Sequence, residues 1–178
     1  MKIRGGALIM GDNVNTDVLH PSRFFSLDDR TVRAGFLQAA AGYEQMGGTD
    51  LSGRIIVAGD NFGCGSSRET GARAFLLAGV KAVVARSVAR IFGRNVRNLG
   101  LPAVECPSLP ALEPGAEVEV DLDDWVLRVS GGPEVALTPL DPFWVAVLAA
   151  GGLMPFLGLG LEKLPAPTIR RGPPRNDP

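Results

Sequence analysis

The chain is built from short apolar runs separated by small and polar residues. Ile3 to Met10 alternates loosely and reads as a strand. A polar, turn-rich loop follows, Gly11-Asp12-Asn13-Val14-Asn15-Thr16-Asp17, in which Asx-type hydrogen bonds can hold Asp17 in place. Arg30 to Tyr43 is Ala-rich and predicts a helix, closed by Met46-Gly47-Gly48. Ile55-Ile56-Val57-Ala58 and Ala82-Val83-Val84-Ala85 are unbroken apolar runs, as expected of buried strands. Between them a helix is predicted from about Arg68 to Leu77, stopped by Gly79. Val88 to Asn98 reads as another helix, with Val88, Ile91, Phe92, Asn95 and Leu99 on one stripe, and Leu101 to Cys106 as a further strand. Strands alternating with helices at this short spacing imply parallel pairing.

After Pro107 the pattern changes. Glu117 to Asp121 and Trp125 to Val129 alternate cleanly around Asp123-Asp124, which predicts a hairpin, with Val135-Ala136-Leu137 as a possible third strand. Pro142 to Ala150 reads as a last helix, with Pro142 in its first turn and Gly151-Gly152 at its end. Trp125 and Trp144 are expected to pack the hairpin against this helix. The fold class is therefore α/β, a mostly parallel βαβ core plus an antiparallel hairpin. One domain is expected over residues 1–160. Residues 161–178, rich in Pro and Arg from Leu164 onward, are expected to form a disordered tail.

Composition narrows the function classes. The 178 residues suffice for one real core. A net charge of −1 gives no field that would draw nucleic acid or an acidic membrane. No apolar run reaches the roughly 20 residues of a membrane helix, and no charged-then-apolar leader opens the chain. The two cysteines, Cys64 and Cys106, are too few for a disulfide scaffold and are expected to stay reduced in the cytoplasm. With one histidine, His20, and two distant cysteines, neither a zinc site nor an iron–sulfur site can be assembled locally, so any metal must come from outside this chain. His20 beside Pro21 reads as a loop-packing residue, Cys64 as a small buried filler, and Arg86, Arg90, Arg94 and Arg97 as a solvated or subunit-facing basic face.

The chemistry concentrates in Gly59-Asp60-Asn61-Phe62-Gly63-Cys64-Gly65-Ser66-Ser67-Arg68-Glu69, a glycine-rich turn from strand to helix. Glycine lets a ligand approach the backbone, and the first N–H groups of a helix attract anions. Ser66-x-x-Glu69 also fits a capping box with Ser66 as N-cap. Alternatively, the serines and Arg68 surround a substrate carboxylate, which Arg holds bidentately, with a serine exchanging a proton. Phe24-Phe25, adjacent aromatics in the earlier loop, are either a core plug or an apolar wall of the site.

This stretch resembles the small subunits of 3-isopropylmalate dehydratase and, more broadly, the swivelling domain of the aconitase superfamily. Three further segments are similar in the same order: Gly11 to Asp17 with Pro21; Val83 to Phe92 with Arg94, Asn95 and Asn98; and Leu148 to Leu153. Together they cover roughly residues 5–157. The resemblance implies a β/β/α swivel domain in a two-subunit hydro-lyase of leucine biosynthesis. Such enzymes move a hydroxyl between adjacent carbons of a di- or tricarboxylate by dehydration and rehydration. It implies a [4Fe–4S] cluster acting as Lewis acid on a large-subunit partner, without which this chain is inactive. It implies Ser66 as proton-transfer base and Arg68 as carboxylate clamp, with Ser67 and the N–H groups around Gly65 binding oxygens. Asp17 would face a histidine of the partner and tune it as a proton donor.

Phe24, Phe25, Ser26 and Leu27 match the loop that selects substrate. A homoaconitase needs a cation here, typically an arginine where Ser26 stands, because an unpaired buried carboxylate is costly. An isopropylmalate-like acid is favoured, with Arg23 and Arg30 the nearby cations. Homoaconitate, citramalate or dimethylmalate are the alternatives, and a non-catalytic carboxylate- or phosphate-binding module is a more distant one. The chain departs from the family at Thr70-Gly71, where His-Ala or Gln-Ala is common, and Arg73 adds a charge.

Overall fold

The strand β1 (Lys2–Ile9) is the seam of a seven-stranded mixed sheet. Its second half pairs in parallel with β2 (Arg54–Ala58), in the register Ala7 to Ile55, and its first half pairs antiparallel with β5 (Glu117–Asp121), in the register Gly5 to Val118. Parallel pairing continues through β3 (Ala82–Ala85) to β4 (Ala103–Glu105). Antiparallel pairing continues through β6 (Val126–Val129) to β7 (Glu134–Ala136). The computed structural model describes residues 1–158 apart from 41, 44–46 and 66, so the predicted tail lies outside the described residues.

Each parallel strand is buried on both faces, which is why β2 and β3 read as unbroken apolar runs. Successive side chains point to opposite sides. Ile56 and Ala58 therefore join one core, and Ile55 and Val57 the other. The first core lies under the helices α1 (Thr16–Leu19), α2 (Asp29–Ala34), α3 (Glu69–Leu77) and α4 (Arg90–Asn98). Its centre is edge-to-face aromatic: Phe75 meets Phe36 at 4.7 Å and Phe92 at 5.2 Å, and Phe62 meets Phe92 at 5.4 Å. The second core is enclosed by the sheet itself. The chain leaving β7 returns to β4, where the Thr138 amide donates to the Glu105 carbonyl at 2.8 Å. The outer strands thus meet around Val84, Val104, Val120 and Leu127. The helices α5 (Pro142–Ala149) and α6 (Leu153–Phe156) close the chain beside α4. Among the described residues, no helix is long and apolar enough to cross a membrane.

Several expectations are corrected. The helix expected over Arg30–Tyr43 is only Asp29–Ala34, capped by the Asp28 carboxylate, which accepts from the Arg30 and Thr31 amides. It stops at Gly35 because the Phe24 ring packs against that Cα, leaving no room for a Cβ, and Leu37 then turns left-handed so that its amide reaches the Leu19 carbonyl. Met46 of the expected cap is outside the described residues. The helix α4 turns Phe92, Gly93 and Val96 inward and leaves Ile91 40% exposed, because Phe92 is drawn into the aromatic cluster. The expected arginine face is broken up as well. Arg86 pairs with Asp12 and Asp60, while Arg97 turns inward to donate to the Ala103 carbonyl and lies over Trp144. Trp144 therefore meets α4, whereas Trp125 packs on the second core. The helix α1, a 3₁₀ turn at Ser22–Phe24, and α6 were not expected from the pattern.

Candidate functional site

The C-terminal ends of parallel strands are where open α/β sheets place ligands. Here the ends of β1, β2 and β3 release three segments that are stitched to one another. The Asn13 amide donates to the Asp60 carbonyl (2.7 Å), Gly63 to Val14 (2.9 Å) and Thr16 to Cys64 (2.8 Å). From the third segment the Ser87 carbonyl accepts from the Phe62 amide (3.0 Å), and the Ser87 hydroxyl accepts from the Asn61 amide (2.8 Å). Asn13 and Asn61 both adopt left-handed backbone, which Asn tolerates, and their side-chain amides bond each other at 3.0 Å. Arg86 crosses the seam to Asp12 and Asp60, and the two carboxylates raise its affinity for its proton.

The expected site residues, Ser66 apart, can now be placed. Asn15 caps α1 by accepting from the Asp17 amide at 2.7 Å, which fixes the turn that carries Asp17. Gly65 has a φ of 105°, and a Cβ there would overlap the Asn15 side-chain oxygen, so the close approach of these two loops depends on glycine. The Ser67 carbonyl is held by the Asn95 side-chain amide of α4 at 3.0 Å. Arg68 stands at the N-cap of α3, and its guanidinium meets the Asp17 carboxylate at 3.1 Å and lies 4.4 Å over the Phe25 ring. Ser66 is outside the described residues. The capping-box register is nonetheless corrected: Arg68 is the N-cap and Glu69 is the first helical residue, not the third. Cys64 is half-buried rather than a buried filler; its carbonyl ties the loop to Thr16.

The expected substrate loop lies alongside. Phe24 plugs the space over Gly35, with the Arg23 guanidinium over its ring at 4.8 Å. The Ser26 hydroxyl accepts from the Asp28 amide at 3.0 Å, and Leu27 is 94% exposed. Arg73 of α3 grips this loop, donating to the Leu27 carbonyl at 3.1 Å and pairing with Asp29. The pattern gave no signal for that grip beyond an extra charge. His20 is buried, as a loop-packing residue should be; its Nε2 donates to the Val32 carbonyl at 2.9 Å and its ring stacks on Phe25. Among the described residues, no group of three or more His, Cys, Asp or Glu side chains converges to hold a metal ion.

The arrangement can bind and orient an anion. The Arg68–Asp17 pair is about half exposed on both sides, and such pairs contribute only about 0–1 kcal/mol.

Comparison with known proteins gives the chain's family. Residues 13–109, which hold most of the three segments, match the aconitase C-terminal domain family. The 2,3-dimethylmalate dehydratase small subunit of Eubacterium barkeri is 43% identical over 88% of this chain and 97% of its own length. The 3-isopropylmalate dehydratase small subunit 1 of Methanopyrus kandleri is 43% identical over 85% of this chain and 90% of its own. Among solved structures, the 3-isopropylmalate dehydratase LeuD of Methanocaldococcus jannaschii superposes with a TM-score of 0.78 at 33% identity, covering 89% of this chain and 94% of that one. The chain belongs to the aconitase C-terminal domain family and is similar along most of its length to the small subunits of dehydratases.

Proposed function

We propose that the chain is the small subunit of a two-subunit hydro-lyase that interconverts 2- and 3-isopropylmalate by dehydration and rehydration. The observation that carries this reading is Arg68, held at the strand ends between Asp17 and Phe25 and beside a loop with no cation at Ser26. Arg68 takes a substrate carboxylate in a bidentate grip. Ser66 accepts the proton from the carbon beside that carboxylate as water departs and returns it on rehydration. Serine is a weak base, so its oxyanion needs donors, and the N–H groups around Gly65–Ser67 are assigned that task together with the Ser67 hydroxyl. Asp17 faces the partner subunit and tunes a histidine there. The exposed Leu27 and the Phe24–Ser26 segment border the substrate's alkyl group.

A [4Fe–4S] cluster, supplied by the large subunit, provides Lewis-acid assistance to hydroxide departure; no residue of this chain is assigned as its ligand. The partner requirement is supported by the relatives, which are named small subunits. A cytoplasmic location is supported by the free state of both cysteines. The dimethylmalate dehydratase relative supports a second reading, the same chemistry on a malate with smaller alkyl groups. Homoaconitate is disfavoured: Arg23 is engaged over Phe24, and Ser26 offers only a hydroxyl already bonded to Asp28.

The test is reconstitution with a cluster-loaded large subunit, followed by assay of 3-isopropylmalate and 2,3-dimethylmalate side by side. Ser66→Ala is expected to lower kcat by about 10²–10⁴-fold, the usual worth of a positioned acid–base group. Activity within a few-fold of the parent would refute Ser66 as the base. Tight anion binding by the isolated chain, measured calorimetrically and unaffected by the partner, would favour a non-catalytic module instead.

A further inference from the structure

Phe24 and Phe25 are expected to be either a core plug or a substrate wall, and the ring contacts of Phe25 give it a further part to play. One face of its ring carries the Arg68 guanidinium, 4.4 Å from the centroid. The His20 imidazole stacks on the same ring, with centroids 5.5 Å apart and planes inclined by only 17°. His20 in turn is fixed from two helices. Its amide closes α1 on the Thr16 carbonyl at 2.8 Å, and its Nε2 donates to Val32 of α2 at 2.9 Å. A buried, hydrogen-bonded imidazole has almost no freedom, so Phe25 rests on a rigid base.

We infer that Phe25 is a positioning residue for Arg68, with His20 as its backing. The inference rests on the proposed role of Arg68 as carboxylate clamp. Asp17 from the side and the Phe25 ring from one face both help to aim the guanidinium. Asp17 is the exchangeable one, since a substrate carboxylate competes with it for the same N–H groups. The ring accepts no hydrogen bond from those groups, so it stays in place when substrate arrives. It holds the fork while the donors exchange one carboxylate for the other, and a flat ring beside a planar cation suits that task. A long arginine side chain otherwise loses rotamer freedom on binding. The platform removes part of that cost before substrate is bound, and the gain appears as affinity.

Two measurements test this. In the full-length chain, the Arg68 Nε–H resonance, identified by its loss in Arg68→Lys, is expected upfield of the ordinary arginine position because of the ring current. Phe25→Tyr keeps that shift and Phe25→Leu abolishes it. In the complex with a cluster-loaded large subunit, Phe25→Leu is expected to raise KM for 3-isopropylmalate about threefold to thirtyfold, the range of a cation–π contact. The kcat value stays within about threefold, as for interactions made equally in ground and transition states, and Phe25→Tyr restores KM. An Arg68 resonance that is the same in parent and Phe25→Leu overturns the inference. So does a KM that Phe25→Leu leaves unmoved while Arg68→Lys raises it. If Arg68→Lys also leaves KM unmoved, the clamp reading itself falls and takes the inference with it.

Discussion

His20 shows how much one buried side chain can decide. It is 1% exposed, its Nε2 donates to Val32, and its Nδ1 has no hydrogen-bond partner among the described residues. That pattern fits the neutral tautomer with the proton on Nε2. Burial pushes its pKa below the ordinary 6.5, and the Val32 carbonyl offsets only part of that. Protonation would place a cation beneath two rings that each already carry an arginine: Phe24 with Arg23 and Phe25 with Arg68. The sign of the linkage follows. As pH falls, the unfolded chain takes up this proton first, so the contribution of His20 to stability is full above about 6.5 and declines below it. Urea unfolding of the full-length chain between pH 8 and 5 is expected to show a midpoint that drops below pH 6.5. In His20→Leu the midpoint stays level across that window. A parent midpoint that is flat from pH 8 to 5 would show that the imidazole is not held neutral.

At the scale of elements, α3 carries the Thr70-Gly71 departure from the family pattern, and the geometry says what that departure costs. Gly71 sits in the first turns of this helix, buried and with ordinary helical backbone. A Cβ built there meets only the Thr16 Cβ, at 3.9 Å, an ordinary van der Waals contact. Nothing in the packing requires glycine. Gly71→Ala is therefore expected to stabilise the fold by up to about 1 kcal/mol, through the unfolded chain's lost freedom and the better helix former. For a domain of this size that raises Tm by about 2–4 °C, which calorimetry resolves; a lower Tm would mean the site is tighter than it looks. Elements also mark how far the sequence could be read. Glu117–Asp121 was legible to the residue because its alternation is a property of the strand itself. The parallel strands were legible because burial on both faces demands apolar runs. The short helix at Asp29–Ala34 was not, because its end is imposed by Phe24 on Gly35 and by the Leu37–Leu19 bond, both contacts between segments. The candidate site divides in the same way. Arg68 and Asp17 stand in a recognisable local pattern, but the pairing of Arg68 with Phe25 and the grip of Arg73 on Leu27 exist only once α1, α2 and α3 are packed together.

The whole molecule separates the site from its chief ionic anchor along β1. The strand's C-terminal end delivers the loop that carries Asp17, while its first residues pair with Asp121 on β5, about 20 Å away at the usual rise per strand residue. Asp121 is wholly buried. It accepts from Arg128 at 2.6 Å, from Lys2 at 3.1 Å, and from the Asp123 and Asp124 amides that form the β5–β6 turn. Arg128, the largest influence, holds its carboxyl far below the ordinary carboxylate range. The linkage sign is opposite in origin to that of His20 but similar in outcome. Asp121 gives its full contribution above about 4, the ordinary carboxylate pKa, and loses it as pH falls further and protonation becomes forced. Acid unfolding should therefore proceed in two windows, the first governed by His20 and the second by Asp121. Removing the buried carboxylate strands two turn amides and breaks the network that pins β5 and β6 to the start of β1. Asp121→Ala is accordingly expected to lower Tm by more than Gly71→Ala raises it, and to flatten the stability profile only below pH 4. In the reconstituted complex below its melting temperature, KM for substrate is expected to match the parent, since Arg68, Phe25 and Asp17 hang from the far ends of the parallel strands. A raised KM in Asp121→Ala, at a temperature where the chain is fully folded, would show that the antiparallel half of the sheet sets the geometry of the site and is more than its support.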